Sequence, residues 1–175
     1  LWQKTEGYSE LESSSLVALS NQQGGVYCLL HVTVMGDQVM FRTSTDTIVW
    51  SRWTALPGAR TNAPVAMILW QSKAWVYFLH TNKKFCLAVT DNGETWSKVE
   101  EIKSAPMVGT INDTKKIIIQ CAHYSQGIIM TVVYGDRVYV SPTLDGRNFN
   151  SWNSGTGQET NRPVETRNFM NVVYQ

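Results

Sequence analysis

The chain has 175 residues, with fifteen Lys and Arg against fourteen Asp and Glu and a formal net charge of +1. That balance, with no basic run longer than Lys83-Lys84 or Lys115-Lys116, argues against a nucleic-acid footprint. No apolar run approaches the ~18 residues of a spanning helix, and no signal peptide is recognisable, so no membrane span is expected.

In chain order, residues 1–7 read as the tail of a repeat unit, because Trp2 and Gly7 reproduce the spacing of Trp53 and Gly58. Leu1 reads as a processed or trimmed end. The first whole unit is expected to hold strands over 13–19, 26–35, 39–45 and 48–56. Its turns fall at Gly36-Asp37 and Asp46, and Pro57-Gly58 closes it. The second unit is expected over 65–70, 74–80, 85–90 and 95–101, and the third over 116–123, 127–133, 137–141 and 149–152. From Asn161 a fourth unit starts.

These units are copies. Residues 35–46 lie over 134–145 without a gap, 99 positions apart (134 minus 35), and Trp53 with Trp152, Asn62 with Asn161 and Pro64 with Pro163 keep that offset. Residues 15–31 lie over 64–80, 49 apart (80 minus 31). In this alignment His31, His80 and His123 occupy one repeat position. A period of about 49 residues made of short strands, without heptads, predicts an all-β fold, a β-propeller of four-stranded antiparallel blades. The repeats are expected over 13–57, 62–102 and 104–155, with a partial unit from 160–175 plus 1–7, within one domain, whole or partial.

The hairpin turn Asp91-Asn92-Gly93, followed by Glu94-Thr95-Trp96, supplies residues that tolerate positive φ and a side chain able to bond nearby amides. It resembles the Asp-box of the sialidase-like (BNR-repeat) propellers, Ser-x-Asp-x-Gly-x-Thr-Trp, with Val89 at the Ser position. Ser44-Thr45-Asp46 and Thr143-Leu144-Asp145 are degraded copies, so the turn motif is assigned to Asp46, Asp91, Gly93, Trp96 and Asp145. A second resemblance, carried by Trp50-Ser51-Arg52-Trp53 leading to Pro64, is to bacterial and fungal propeller lectins. The sialidase resemblance implies an arginine triad, a Tyr–Glu nucleophile and an Asp acid. The arginine-bearing Phe-Arg-Ile-Pro of that family is absent, with Phe41-Arg42-Thr43-Ser44 as its nearest echo.

The expected function is therefore non-catalytic glycan binding, for recognition or adhesion. An aromatic platform with an Arg and an Asn, repeated, gives a lectin avidity from weak single sites. Trp50, Arg52, Asn62, Asn161, His31, His80 and His123 are the candidate ligand-binding residues. Trp53, Trp96 and Trp152 are expected to pack blades. The alternatives are a fragment of a sialidase-type hydrolase completed elsewhere and a protein-interaction scaffold. No cofactor and no metal are expected; the three histidines are assigned structural hydrogen bonds ahead of zinc. Cys28, Cys86 and Cys121 sit in apolar runs as buried free thiols. About 3.6 units per chain (175 over 49) predict a homodimer, or association with the remaining blades of a larger propeller. Asn112-Asp113-Thr114 is a glycosylation sequon, usable only in a secreted protein, and a secreted or cell-surface location is the expectation.

Overall fold

The computed structural model describes residues 14–20, 25–104, 111–134, 137–149 and 152. Among them the chain is all-β, in three antiparallel sheets that follow one another in sequence. The first sheet holds β1 (Ser14–Ser20), β2 (Val26–Met35), β3 (Gln38–Ser44) and β4 (Thr54–Arg60). The second holds β5 (Ala66–Trp70), β6 (Lys73–Leu79), β7 (Phe85–Thr90) and β8 (Glu100–Glu101). The third holds β9 (Ile117–Tyr124), β10 (Gly127–Tyr134) and β11 (Arg137–Thr143). Each is a meander in which every strand pairs with its sequence neighbour.

Local sequence explains the reversals. Gly36 takes φ +62 after β2, which lets Met35 pair directly with Gln38. Tyr134 pairs with Arg137 in the same way, at the 99-residue offset of the repeat. Between β5 and β6 both Gln71 and Ser72 are left-handed, at φ 50 and 58. A two-residue turn of that kind matches the twist of the strands it joins.

The sheets stack through their faces. Along β6, Ala74, Val76 and Phe78 point to the first sheet, while Trp75, Tyr77 and Leu79 point to the third. Period-two alternation normally leaves one face polar; here every residue of β7 is buried because the middle sheet has a neighbour on both sides. Phe85, Leu87 and Val89 join the core shared with the third sheet, and Cys86 and Ala88 the one shared with the first. The leading strands lie side by side, β1 against β5 and β5 against β9. Further ties cross the stack: Thr81 N–H donates to Arg60 O at 2.9 Å, and the buried Tyr77 hydroxyl donates to Gly146 O at 2.9 Å.

Three expectations need correction. Residues Ile48 and Val49 are exposed turn residues rather than the start of a strand, because their N–H groups donate to the Asp46 carboxylate at 2.9 and 2.8 Å and are taken from any ladder. The fourth strand comes later, and Pro57 and Gly58 lie inside it, where the missing N–H of Pro57 is tolerated at a sheet edge. The histidines do not share a repeat position: His31 is in the second strand of its sheet, His80 follows the second strand of the next, and His123 is in the first strand of the last. Residues 1–13, 21–24, 105–110, 135–136, 150–151 and 153–175 lie outside the described residues, and with them the partial unit, Asn161, and part of the strand expected over 149–152.

Candidate functional site

Three loops repeat one hydrogen-bonding plan. In the first, Ser44 Oγ accepts from Thr47 N–H at 3.0 Å, and Asp46 Oδ1 accepts from the Ile48 and Val49 amides. In the second, Thr90 Oγ1 accepts from Gly93 N–H at 2.9 Å, and Asn92 Oδ1 accepts from the Glu94 and Thr95 amides at 2.9 and 2.8 Å. In the third, Thr143 Oγ1 accepts from Gly146 N–H at 3.1 Å, and Asp145 Oδ1 accepts from the Arg147 and Asn148 amides, both at 2.8 Å. The working pattern is a hydroxyl, one residue, then an Asx oxygen. The acceptor of the second loop is therefore Asn92, and the assignment to Asp91 is corrected; Asp91 is exposed in the turn.

The residue after each acceptor is left-handed: Thr47 at φ 68, Gly93 at φ 76 and Gly146 at φ 70. The two glycines are also pressed onto the preceding sheet, since a methyl at Gly146 would stand 2.6 Å from the Trp75 ring. Burial alone raises the Asp145 carboxyl, but the N–H groups of Asn148 and Arg147 outweigh it and hold it well below the usual carboxylate range. Asp46 is likewise lowered, by the amides of Val49 and Ile48.

Four residues after each acceptor stands an aromatic ring, Trp50, Trp96 or Phe149 (46, 92 and 145 plus 4). Trp96 thus corresponds to Trp50, not to Trp53. Trp96 leans on Phe41 of the first sheet, ring centroids 5.3 Å apart, and Phe149 meets Tyr77 of the second sheet edge-on at 5.9 Å.

Beside Trp96 a groove of about 570 Å³ opens between β4 and residues 96–99. Its floor is Phe41, Trp96, Val99 and Ala55, and its rim is Thr54, Pro57, Gly58, Glu94, Ser97 and Lys98. The cause is an irregular edge. Gln38 pairs with Arg60 and Met40 with Ala55, so β4 uses five residues (60 minus 55) where β3 uses two (40 minus 38). A bulge of this kind bends its strand away from the ladder. The corresponding rim between the second and third sheets is closed: Arg147 pairs with Glu100 at 3.0 Å and lies over Trp75 at 5.0 Å, and Phe149 and Trp152 are buried there. Trp152 Nε1 donates to Ser104 O, whereas Trp96 Nε1, also buried, has no hydrogen-bond partner among the described residues.

A second cluster lies on the face of the first sheet that turns away from the second. The Arg42 guanidinium is sandwiched by Trp50 and Trp53, 4.7 and 4.5 Å from the ring centroids. Arg42 Nε donates to His31 Nδ1 at 3.1 Å. That fixes the neutral His31 tautomer with its proton on Nε2, which donates to Ser14 Oγ. Burial, and then the charge of Arg42, lower the His31 pKa.

Of the sequence-predicted ligand residues, the structure brings together only His31 and Trp50. Arg52 is exposed on the loop into β4, Asn62 is half-buried in the link between the first two sheets, and Asn161 lies outside the described residues. His80 caps a turn by accepting from Asn82 N–H at 3.2 Å, and His123 is exposed on β9. Among the described residues no three His, Cys, Asp or Glu gather as metal ligands. Cys28, Cys86 and Cys121 are free, and desolvation raises each thiol, Cys86 to about 11. The groove escaped sequence reasoning because Phe41 and Trp96 meet only through sheet stacking, though the Pro57-Gly58 pair marked the irregular strand. Comparison with known families and with curated proteins finds no match to this chain.

Proposed function

We propose that the chain is part of a β-propeller whose successive sheets are blades, and that it binds neutral saccharides without cleaving them, in the groove beside Trp96. The propeller reading is supported by the order of the sheets, by the contacts of β1 with β5 and β5 with β9, and by the three boxlike loops. The observation that carries the ligand is the groove itself: an aromatic floor of Trp96 and Phe41 with hydroxyl, carboxylate and ammonium groups around it. Sugars present an apolar ring face for stacking and hydroxyls for a polar rim, and pockets of this volume are ordinary ligand sites. Glu94 and Lys98 balance in charge, which favours an uncharged ligand. A peptide strand fits less well, because Pro57 offers no N–H and Gly58 sits at φ +76, so the β4 edge is not an extended template.

Hydrolysis finds less support. Glycosidases use two carboxyl groups flanking one bond, and Glu94 is the one carboxylate among the lining residues. Arg42, the nearest echo of a sialidase arginine, is held between two indoles.

The test is titration of the 175-residue chain with maltotriose, cellotriose and triacetylchitotriose, followed by the Trp96 indole signal in nitrogen-15 NMR. At least one sugar should shift that signal, and the double variant Glu94→Ala, Lys98→Ala, both residues exposed, should lose the response while keeping its urea midpoint. If none of the three moves the signal at millimolar concentration, the reading fails.

A further inference from the structure

The pattern Asn-x-Ser/Thr occurs once in the chain, at Asn112-Asp113-Thr114, in the link from β8 to β9. The structure holds this triplet as a surface arch. Ile111 and Ile117, on either side of it, are buried in the core that the second and third sheets share. Between them the chain turns outward, and Asn112 is exposed. The backbone of the arch is pinned to the third sheet, because the Asn112 and Asp113 N–H groups donate to the Tyr134 hydroxyl at 2.9 and 3.5 Å. Residues Thr114–Lys116 then form one 3-10 turn, whose Lys115 N–H donates to Asp113 Oδ1 at 3.0 Å.

The three side chains of the triplet do different things. Asp113 is used by the fold: its carboxylate caps the turn and lies 3.7 Å from Lys116 Nζ. The Asn112 carboxamide and the Thr114 hydroxyl enter no hydrogen bond among the described residues. The repeat does not demand them either. The link between the first two sheets carries Asn62-Ala63-Pro64, half-buried at Asn62 and without a hydroxyl at the third place. An amide and a hydroxyl two residues apart are thus presented to solvent on an arch anchored at both ends, and neither is spent on holding it.

We propose that Asn112 is a modification site, the acceptor of an N-linked oligosaccharide transferred from a polyprenyl-pyrophosphate donor. The Asn-x-Thr spacing is what that transfer reads. Asn112 Nδ2 forms a bond to C1 of the first sugar, the bond from C1 to the pyrophosphate oxygen breaks, Nδ2 releases one proton, and the polyprenyl pyrophosphate leaves. The attached glycan is bulky and has to lie in water, which the exposed arch allows. Tyr134 ends β10, and β11 runs from that end towards its loop at Thr143, so Asn112 stands at the end of the third sheet opposite that loop. Asn112 is not among the residues lining the groove beside Trp96, and the proposal stands independently of the saccharide reading.

The test is to lead the full chain into the secretory pathway of cultured insect cells behind a cleavable signal peptide, and to analyse both cell extract and medium. Part or all of the protein in each should migrate as a heavier band that peptide-N-glycosidase collapses, with the glycopeptide mapping to Asn112 by mass spectrometry. Asn112→Gln and Thr114→Ala should each abolish the heavier band, and Thr114→Ser, which keeps the hydroxyl, should retain it. Because the Asn112 side chain is exposed, the secreted protein should keep its urea midpoint after the glycan is removed. A wild type bare in both fractions overturns the proposal, and so does a heavier band that survives in Asn112→Gln. A glycan confined to retained, insoluble chains while the secreted protein is bare overturns it as well, since the folded arch would then not accommodate it.

Discussion

The hydrogen bonds of the second loop make its acceptor testable by one pair of substitutions. Asn92→Ala removes the oxygen that receives the Glu94 and Thr95 amides, and also the Nδ2 bond to Thr95 Oγ1 at 2.8 Å. A hydrogen bond contributes about 0.5–1.5 kcal/mol net. Glu94 and Thr95 are exposed, so water recovers part of what their amides lose, and a cost of about 1–2 kcal/mol is expected for the three bonds together. For a domain of this size that lowers Tm by about 2–8 °C. Asp91→Ala, one residue earlier and exposed, should stay within about 0.5 kcal/mol of wild type. Asn92→Asp should also remain near wild type, since Asp46 and Asp145 perform the same task in the other loops. Urea unfolding followed by far-ultraviolet dichroism and tryptophan fluorescence, with a common m-value, gives both costs. If Asp91→Ala costs as much as Asn92→Ala, the loop assignment is refuted.

Gly127→Ala should be among the most damaging small changes in the chain, because the new methyl would stand 2.0 Å from the Thr143 carbonyl oxygen; a fall of several °C in Tm, or insoluble protein, is expected. Stability should decline below about pH 6.5, the unperturbed histidine value, because the folded His31 pKa is lowered: the contribution is complete above the unfolded pKa and is lost as pH falls through the folded one. His31→Gln should flatten the urea midpoint between pH 7 and 5, and an unchanged slope would remove His31 as its source. At pH 8 the raised thiols, two of them buried, should react with a disulfide reagent only as fast as the chain opens, and all three at once in urea.

Most strand positions were legible because most strands are apolar runs bounded by turn residues, and the 99-residue offset fell on equivalent pairs, Met35 with Gln38 and Tyr134 with Arg137; the strand expected over 95–101 is corrected to Glu100–Glu101, because residues 91–95 are taken up by the loop and its hydrogen bonds. What failed was the assignment within those runs. Asp91-x-Gly93 fits the Asp-box spacing, whereas the bonds follow the Ser/Thr-x-Asx spacing of Ser44-Asp46, Thr90-Asn92 and Thr143-Asp145, a pattern that is present in the sequence. The histidine alignment failed because first and second strands are equally apolar here, so a His after an apolar run does not reveal which strand it ends. Neither the Arg42 sandwich nor the groove follows from spacing, since both depend on which residues the pleat and the stacking turn toward one another.

The loops fix the spacing of the sheets, so a ligand site has to arise where the repeats differ, and Gly58 tests that argument. Each loop acceptor already holds two amides, which leaves little for a ligand, and the rim between the second and third sheets is shut by Arg147, Glu100 and Phe149. The rim between the first and second stays open where β4 bulges. Gly58→Ala places a methyl 3.8 Å from Val99 Cγ2, an ordinary contact across the groove. Its backbone at φ +76 adds roughly 1–2 kcal/mol of strain for a residue with a Cβ. The variant should therefore fold, with a modestly lower urea midpoint, and bind the saccharide more weakly than its stability loss accounts for. Gly146→Ala has a similar φ of +70 but drives its methyl into the Trp75 ring, so it should lose far more stability. With protein folded in both cases, sugar affinity of Gly58→Ala equal to wild type would place the ligand outside the groove, while loss of affinity in Gly58→Ala alone ties binding to the irregular edge of β4.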